Sequence, residues 1–148
     1  MDQVVERTVE LEASPDDVWR AITEPDELAS WFGPEAELDV QPGGRGRFVD
    51  DDGVVRHAVV DQVWPGERLV LRWWPEGEGP GAAASVVTFV VAPTTGGSRL
   101  IVTERLVAVG AGAAGADASL RAAADAARTA WTWRLDLLLL RLPDRCRV

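Results

Sequence analysis

Apolar and polar residues alternate along much of the chain with the period of a half-buried β-strand. In the first such segment, Val4 to Glu12, the residues Val5, Val9 and Leu11 fall on one side. Further segments with strand-like patterns lie at 35–40, 45–50, 54–64, 69–73, 85–92 and 99–107. Turn residues separate them, such as the Asp-Asp-Gly of 51–53. The pattern predicts seven strands, several of which are joined by tight turns.

Three segments have helical spacing instead. Ser14, Pro15 and Asp17 form a helix start, and Pro25 both ends this first helix and begins a second, which Gly33 and Pro34 end. The third helix is predicted from about residue 117 to 142. Its apolar stripe consists of Leu120, Ala124, Ala127, Trp131, Leu135, Leu138 and Leu142.

The two short helices carry a pattern that resembles a known family. Residues 14–19 read Ser-Pro-Asp-Asp-Val-Trp, and residues 23–34 read Thr-Glu-Pro-Asp-Glu-Leu-Ala-Ser-Trp-Phe-Gly-Pro. The chain is therefore similar to the START/birch-pollen-allergen (SRPBCC) superfamily, in its activator-of-heat-shock-protein-90-ATPase-like branch. The resemblance implies an α+β helix-grip fold: a curved antiparallel seven-stranded sheet wrapped around a long C-terminal helix, with two short helices after strand one. It also implies a cavity between the sheet and the long helix.

Length and composition set the broad class. A chain of 148 residues is expected to form a single START-like domain over 1–148 and to bury a sizeable core. We find neither a signal-peptide pattern nor an apolar run long enough to span a bilayer, so we expect a cytoplasmic protein. The single cysteine, Cys146, excludes an internal disulfide.

Charge narrows the range of partners and cofactors. The net charge of −9 disfavours nucleic acid and anionic membranes as partners. All 15 basic residues are arginine, so Schiff-base chemistry on a lysine is excluded. The acidic run 50–52 lies at a predicted turn, where solvated charge is the ordinary explanation. We expect no metal and no cofactor.

The candidate cavity is predicted from side-chain size. Ala124 and Ala127 leave space in the N-terminal half of the long helix, whereas Trp131 and the leucines that follow fill the other half. Trp73 and Phe89 are expected to form the opposing wall, with Val102 and Glu104 on the same concave side. The predicted lining is therefore Trp73, Phe89, Val102, Glu104, Ala124 and Ala127.

Glu104 is the polar residue of this set that needs an explanation, because a carboxylate on an apolar face is costly unless it is paired. An ion pair with an arginine near the sheet edge is the expected arrangement, and a polar anchor or acid/base group in the pocket is the alternative. His57 is the only histidine, and no nucleophile motif accompanies it. We therefore assign no catalytic residue.

These observations predict a protein that binds a small hydrophobic or aromatic molecule in the cavity. A polyketide-cyclase-like enzyme, in which Glu104 or Arg72 moves protons, is the alternative. The resemblance also implies a co-chaperone that stimulates the heat-shock protein 90 ATPase. This is less favoured, because the sequence resembles only the C-terminal half of the eukaryotic co-chaperones.

The opposite side of the long helix is apolar as well, so that either the short helices or a second subunit should cover it. We expect a homodimer. The residues concerned are Ala122, Ala126, Trp133, Leu137 and Leu140.

Overall fold

A computed structural model describes residues 2–50, 53–77, 85–107 and 116–142. Within these ranges the chain forms seven strands and three helices in the predicted order. The elements are β1 (Asp2–Leu11), α1 (Pro15–Thr23), α2 (Pro25–Trp31), β2 (Glu35–Leu38), β3 (Arg45–Val49), β4 (Val55–Trp64), β5 (Arg68–Pro75), β6 (Ser85–Thr94), β7 (Gly97–Val107) and α3 (Ala116–Arg141).

The strands form one antiparallel sheet in the order β1-β7-β6-β5-β4-β3-β2. Strands β2 to β7 follow one another as neighbours, and β1 pairs with β7 over its whole length. The sheet is curved and open, and α3 packs against β1, β7 and α2. This arrangement confirms the predicted helix-grip fold.

The two short helices begin and end where the sequence predicts. The Ser14 hydroxyl accepts a hydrogen bond from the Asp17 backbone N–H at 3.2 Å, and Pro15 occupies the first turn. Helix α2 starts at Pro25 without a side-chain cap. The indole of Trp31 donates to the backbone oxygen of Ala21 at 2.8 Å, and this bond holds α2 against α1.

Strand alternation determines which side chains face α3. On β7, for example, Leu100, Val102, Glu104 and Leu106 are all buried on the concave side. The predicted stripe of α3 meets this face, and all of it is buried except Ala127, which is half-buried. The core therefore lies between the concave face and one side of α3.

The other side of α3 is only partly covered. Trp133 and Leu140 are largely exposed, and Leu137 is half-buried. The short helices therefore do not shield the two largest exposed side chains of this face. No helix within the described ranges is both long and apolar enough to cross a membrane.

Candidate ligand-binding cavity

A cavity of about 380 Å³ lies between the concave face of the sheet and α3. On the helix side it extends from Leu120 to Arg134, along the N-terminal half of α3 and somewhat beyond it. The described residues that line it are Asp50, Arg56, Trp73, Pro75, Ser85, Glu104, Leu106, Leu120, Ala123, Ala126, Ala127, Ala130 and Arg134.

The six residues predicted to line the cavity divide into two groups. Trp73, Glu104 and Ala127 line it. Phe89, Val102 and Ala124 are buried beside it and form part of the close-packed core.

The packing explains why the second group does not reach the cavity. The ring of Phe89 packs edge-on against Trp131, with centroids 5.7 Å apart. Val102 lies one pleat from Glu104 along β7 and is buried in the core. Ala124 is fully packed, and the neighbouring Ala123 lines the cavity instead.

Glu104 is held by two tryptophans. The indole N–H of Trp73 donates to Oε2 at 2.9 Å, and that of Trp131 donates to Oε1 at 2.8 Å. The two indole rings are stacked, with centroids 5.7 Å apart and an interplanar angle of 15°. The expected ion pair with an arginine is therefore wrong: among the described residues, the hydrogen bonds to this buried carboxylate come from neutral indoles.

A second carboxylate, Asp50, connects two arginines at the cavity wall. Its Oδ1 accepts from Nη2 of Arg134 at 2.9 Å, and its Oδ2 pairs with Nη1 of Arg56. The side chains of Arg134 and Asp50 are only 6% and 13% exposed, so this is an ion pair largely removed from water. We call these three residues the Asp50 triad.

Aromatic rings surround the guanidinium of Arg134. Its central carbon lies 4.2 Å from the ring centroid of Phe32 and 4.7 Å from that of Trp131. Burial lowers the pKa of Arg134, and the charge of Asp50 opposes this effect. An arginine side chain nevertheless stays protonated in proteins. The cavity thus contains a buried permanent cation that is stabilised by a carboxylate and by cation–π contacts.

Sequence reasoning missed all three members of the triad. Asp50 was interpreted as part of a solvated acidic turn, although it has the same strand parity as the inward-facing Phe48. Arg56 has the parity of Ala58, which is buried. Arg134 lies one turn beyond Ala130 on α3. Parity and helical spacing were the available signals, but they do not show that three distant residues meet.

Two other candidates lie outside the cavity lining. Arg72, considered with Glu104 for proton transfer in an enzyme, pairs with Asp61 at 3.1 Å on the outer face of the sheet. The ring nitrogen Nε2 of His57 lies 3.3 Å from a carboxylate oxygen of Glu76, and both side chains are exposed. No group of three or more His, Cys, Asp or Glu residues suited to a metal ion occurs in the described part of the chain.

The curved sheet with a cavity under its long helix places the chain in the class of helix-grip proteins. Sequence comparison then gives the family. Over residues 12–138 the chain matches the family described as activator of Hsp90 ATPase homolog 1-like protein, and it belongs to that family. A comparison with curated proteins gives no match.

Solved structures share the fold over all or nearly all of the chain. Protein MLL2253 from Mesorhizobium loti is 26% identical, with full coverage of both chains and a TM-score of 0.77. SA2116 from Staphylococcus aureus, described as a protein of unknown function, is 21% identical over 100% of this chain and 98% of its own, with a TM-score of 0.80. DynU16, described as a protein in the dynemicin biosynthetic locus, is 24% identical over 95% of this chain and has a TM-score of 0.75; the match spans 47% of DynU16.

Proposed function

We propose that the protein binds a small hydrophobic or aromatic molecule in the cavity between the sheet and α3. The observation that carries this proposal is the cavity itself. Its volume of about 380 Å³ lies within the range of small-molecule sites. Ligand sites are typically concave and largely preformed, and this space between the sheet and α3 has that form.

The wall chemistry supports an apolar body for the ligand. The α3 side of the cavity is formed mainly by the side chains of Leu120, Ala123, Ala126, Ala127 and Ala130. Ala126, which was expected on the opposite side of the helix, therefore borders the cavity instead. These side chains offer no hydrogen-bonding group, so a polar ligand surface placed against them would lose its contacts with water. The charged residues are concentrated on the sheet side and at Arg134.

Uptake of a neutral fluorescent probe tests the proposal. N-phenyl-1-naphthylamine brightens when it moves from water into an apolar site, and we expect the parent protein to produce this increase. Ala127→Phe should abolish it, because the added ring would occupy the cavity that Ala127 lines. Ala122→Phe is the matched control, since Ala122 is exposed on α3 and does not line the cavity.

Two results would count against the proposal. The first is a parent protein that gives no increase in probe fluorescence. The second is an Ala127→Phe variant that is folded, as judged by its thermal melt, and that binds the probe as well as the parent does.

Self-association is a separate prediction. Trp133 and Leu140 lie two turns apart on α3, and both are largely exposed. We expect sedimentation at micromolar concentration to show a homodimer, and Trp133→Ser to shift it towards the 16.0 kDa monomer. A parent protein that sediments only as the monomer would contradict the prediction.

A further inference from the structure

The Asp50 triad has more hydrogen-bond donors than the described residues of the protein accept. A guanidinium has five N–H donors. Arg134 and Arg56 each make one hydrogen bond in the described part of the chain, both to Asp50. No fully buried side-chain nitrogen or oxygen lacks a partner there. Both arginines line the cavity, so we infer that their remaining N–H groups face it.

The charges of the triad do not cancel. Two guanidinium groups share one carboxylate, which leaves a net charge of +1 on the three side chains. Glu104 also lines the cavity, and its negative charge raises the pKa of Arg134, so the four charged side chains together carry no net charge. Glu104 accepts its hydrogen bonds from the two indoles, however, and so does not occupy the N–H groups of either arginine. After burial, the charge of Arg56 is the next factor that lowers the pKa of Arg134, so the two cations repel each other. An anion placed beside both would relieve this repulsion.

We propose that the ligand carries a carboxylate, and that Arg56 of β4 and Arg134 of α3 bind this carboxylate at the part of the cavity where the Asp50 triad joins the sheet to the helix. A planar guanidinium matches a carboxylate with two parallel N–H···O bonds. The apolar part of the ligand then lies against the alanines of α3. This inference rests on the proposed function, because it assigns one end of the same cavity.

A matched pair of ligands tests the carboxylate. 2-Naphthoate and 2-naphthamide have the same aromatic body and nearly the same shape, but only the first carries a charge at neutral pH. We expect calorimetric titration of the full chain to show that 2-naphthoate binds at least about tenfold more tightly than 2-naphthamide, since hydrogen bonds to charged groups are the stronger ones. Equal affinity for the two compounds, or tighter binding of the amide, would overturn the inference.

A pair of variants then locates the contact. Arg56→Met removes one guanidinium and leaves Asp50 paired with Arg134. It should weaken 2-naphthoate roughly tenfold and leave 2-naphthamide within about twofold. Arg72→Met is the control, because it makes the same change in charge on the outer face and should affect neither ligand. Equal weakening of both compounds by Arg56→Met would also overturn the inference.

The neutral probe separates this failure from failure of the proposed function. If N-phenyl-1-naphthylamine binds but neither 2-naphthoate nor 2-naphthamide does, the cavity accepts apolar molecules and the carboxylate assignment is wrong. If none of the three compounds binds, the proposed function fails and the carboxylate assignment fails with it.

Discussion

The two faces of the sheet carry the same kinds of charged side chain in different surroundings. On the outer face, Arg72 and Asp61 form a pair with side chains 40% and 34% exposed. On the cavity side, Arg134 and Asp50 form a pair at 6% and 13%. The chemical groups are the same, and the difference lies in how much water reaches them.

This difference decides what each charge requires from its neighbours. Water screens the outer pair, so it contributes little to stability and needs no further partner. A buried charge loses its hydration and therefore needs several compensating contacts. Asp50 has two guanidinium partners, Glu104 has two indole donors, and Arg134 has aromatic rings around it. The charged side chains of the cavity side therefore depend on one another and on the rings around them. Within the described part of the chain, the outer pair depends on no other residue, so its loss should affect little else.

The largest expected effect follows directly from this comparison. Asp50→Ala would leave the buried guanidinium of Arg134 without its carboxylate. We expect the free energy of unfolding, measured by urea denaturation, to fall by about 3–5 kcal/mol. Asp61→Ala, the same change on the outer face, should cost at most about 1 kcal/mol.

The ratio of the two effects is the test. Comparable small losses in both variants would show that water screens the Asp50 triad as well as the outer pair. The proposed contrast between the two faces of the sheet would then be wrong.

A smaller effect is expected at the other cavity carboxylate. Glu104→Gln keeps one acceptor oxygen but turns an amide NH₂ towards the second indole N–H. Leaving a buried donor unpaired should lower the free energy of unfolding by about 1–3 kcal/mol. Glu10→Gln on the outer face, where Glu10 pairs with Arg99 and both are exposed, should change it by no more than about 0.5 kcal/mol. Equal losses in the free energy of unfolding at the two positions would show that the indole hydrogen bonds to Glu104 do not stabilise the folded protein.

Most of the fold could be predicted from the sequence because its signals are local. The hydroxyl of Ser14 and the ring of Pro15 determine where α1 begins, whatever the distant chain does. Helix α3 was predicted over 117–142 and runs over Ala116–Arg141. Strand alternation also placed Glu104 correctly on the concave face.

The cavity could be predicted only in part, because its lining depends on how distant elements meet. Asp50 and Arg134 are 84 positions apart, and no local pattern indicates that they pair. How α3 is rotated about its axis against the sheet also depends on contacts between distant parts of the chain. Ala124 and Ala127 belong to one sequence stripe, yet the first is packed in the core and the second borders the cavity.

These two alanines locate the boundary between the filled and open parts of the concave side. Ala124→Phe forces a ring into a packed core and should lower the free energy of unfolding by about 1–3 kcal/mol. Ala127→Phe places the same ring into existing space, so we expect its stability to stay within about 0.5 kcal/mol of the parent. Urea denaturation of both variants measures the difference between their free energies of unfolding, and the substitution, alanine to phenylalanine, is the same in both. If Ala127→Phe is as destabilised as Ala124→Phe, the space beside Ala127 is not available to a ring of that size, and the cavity cannot accommodate an aromatic ligand there.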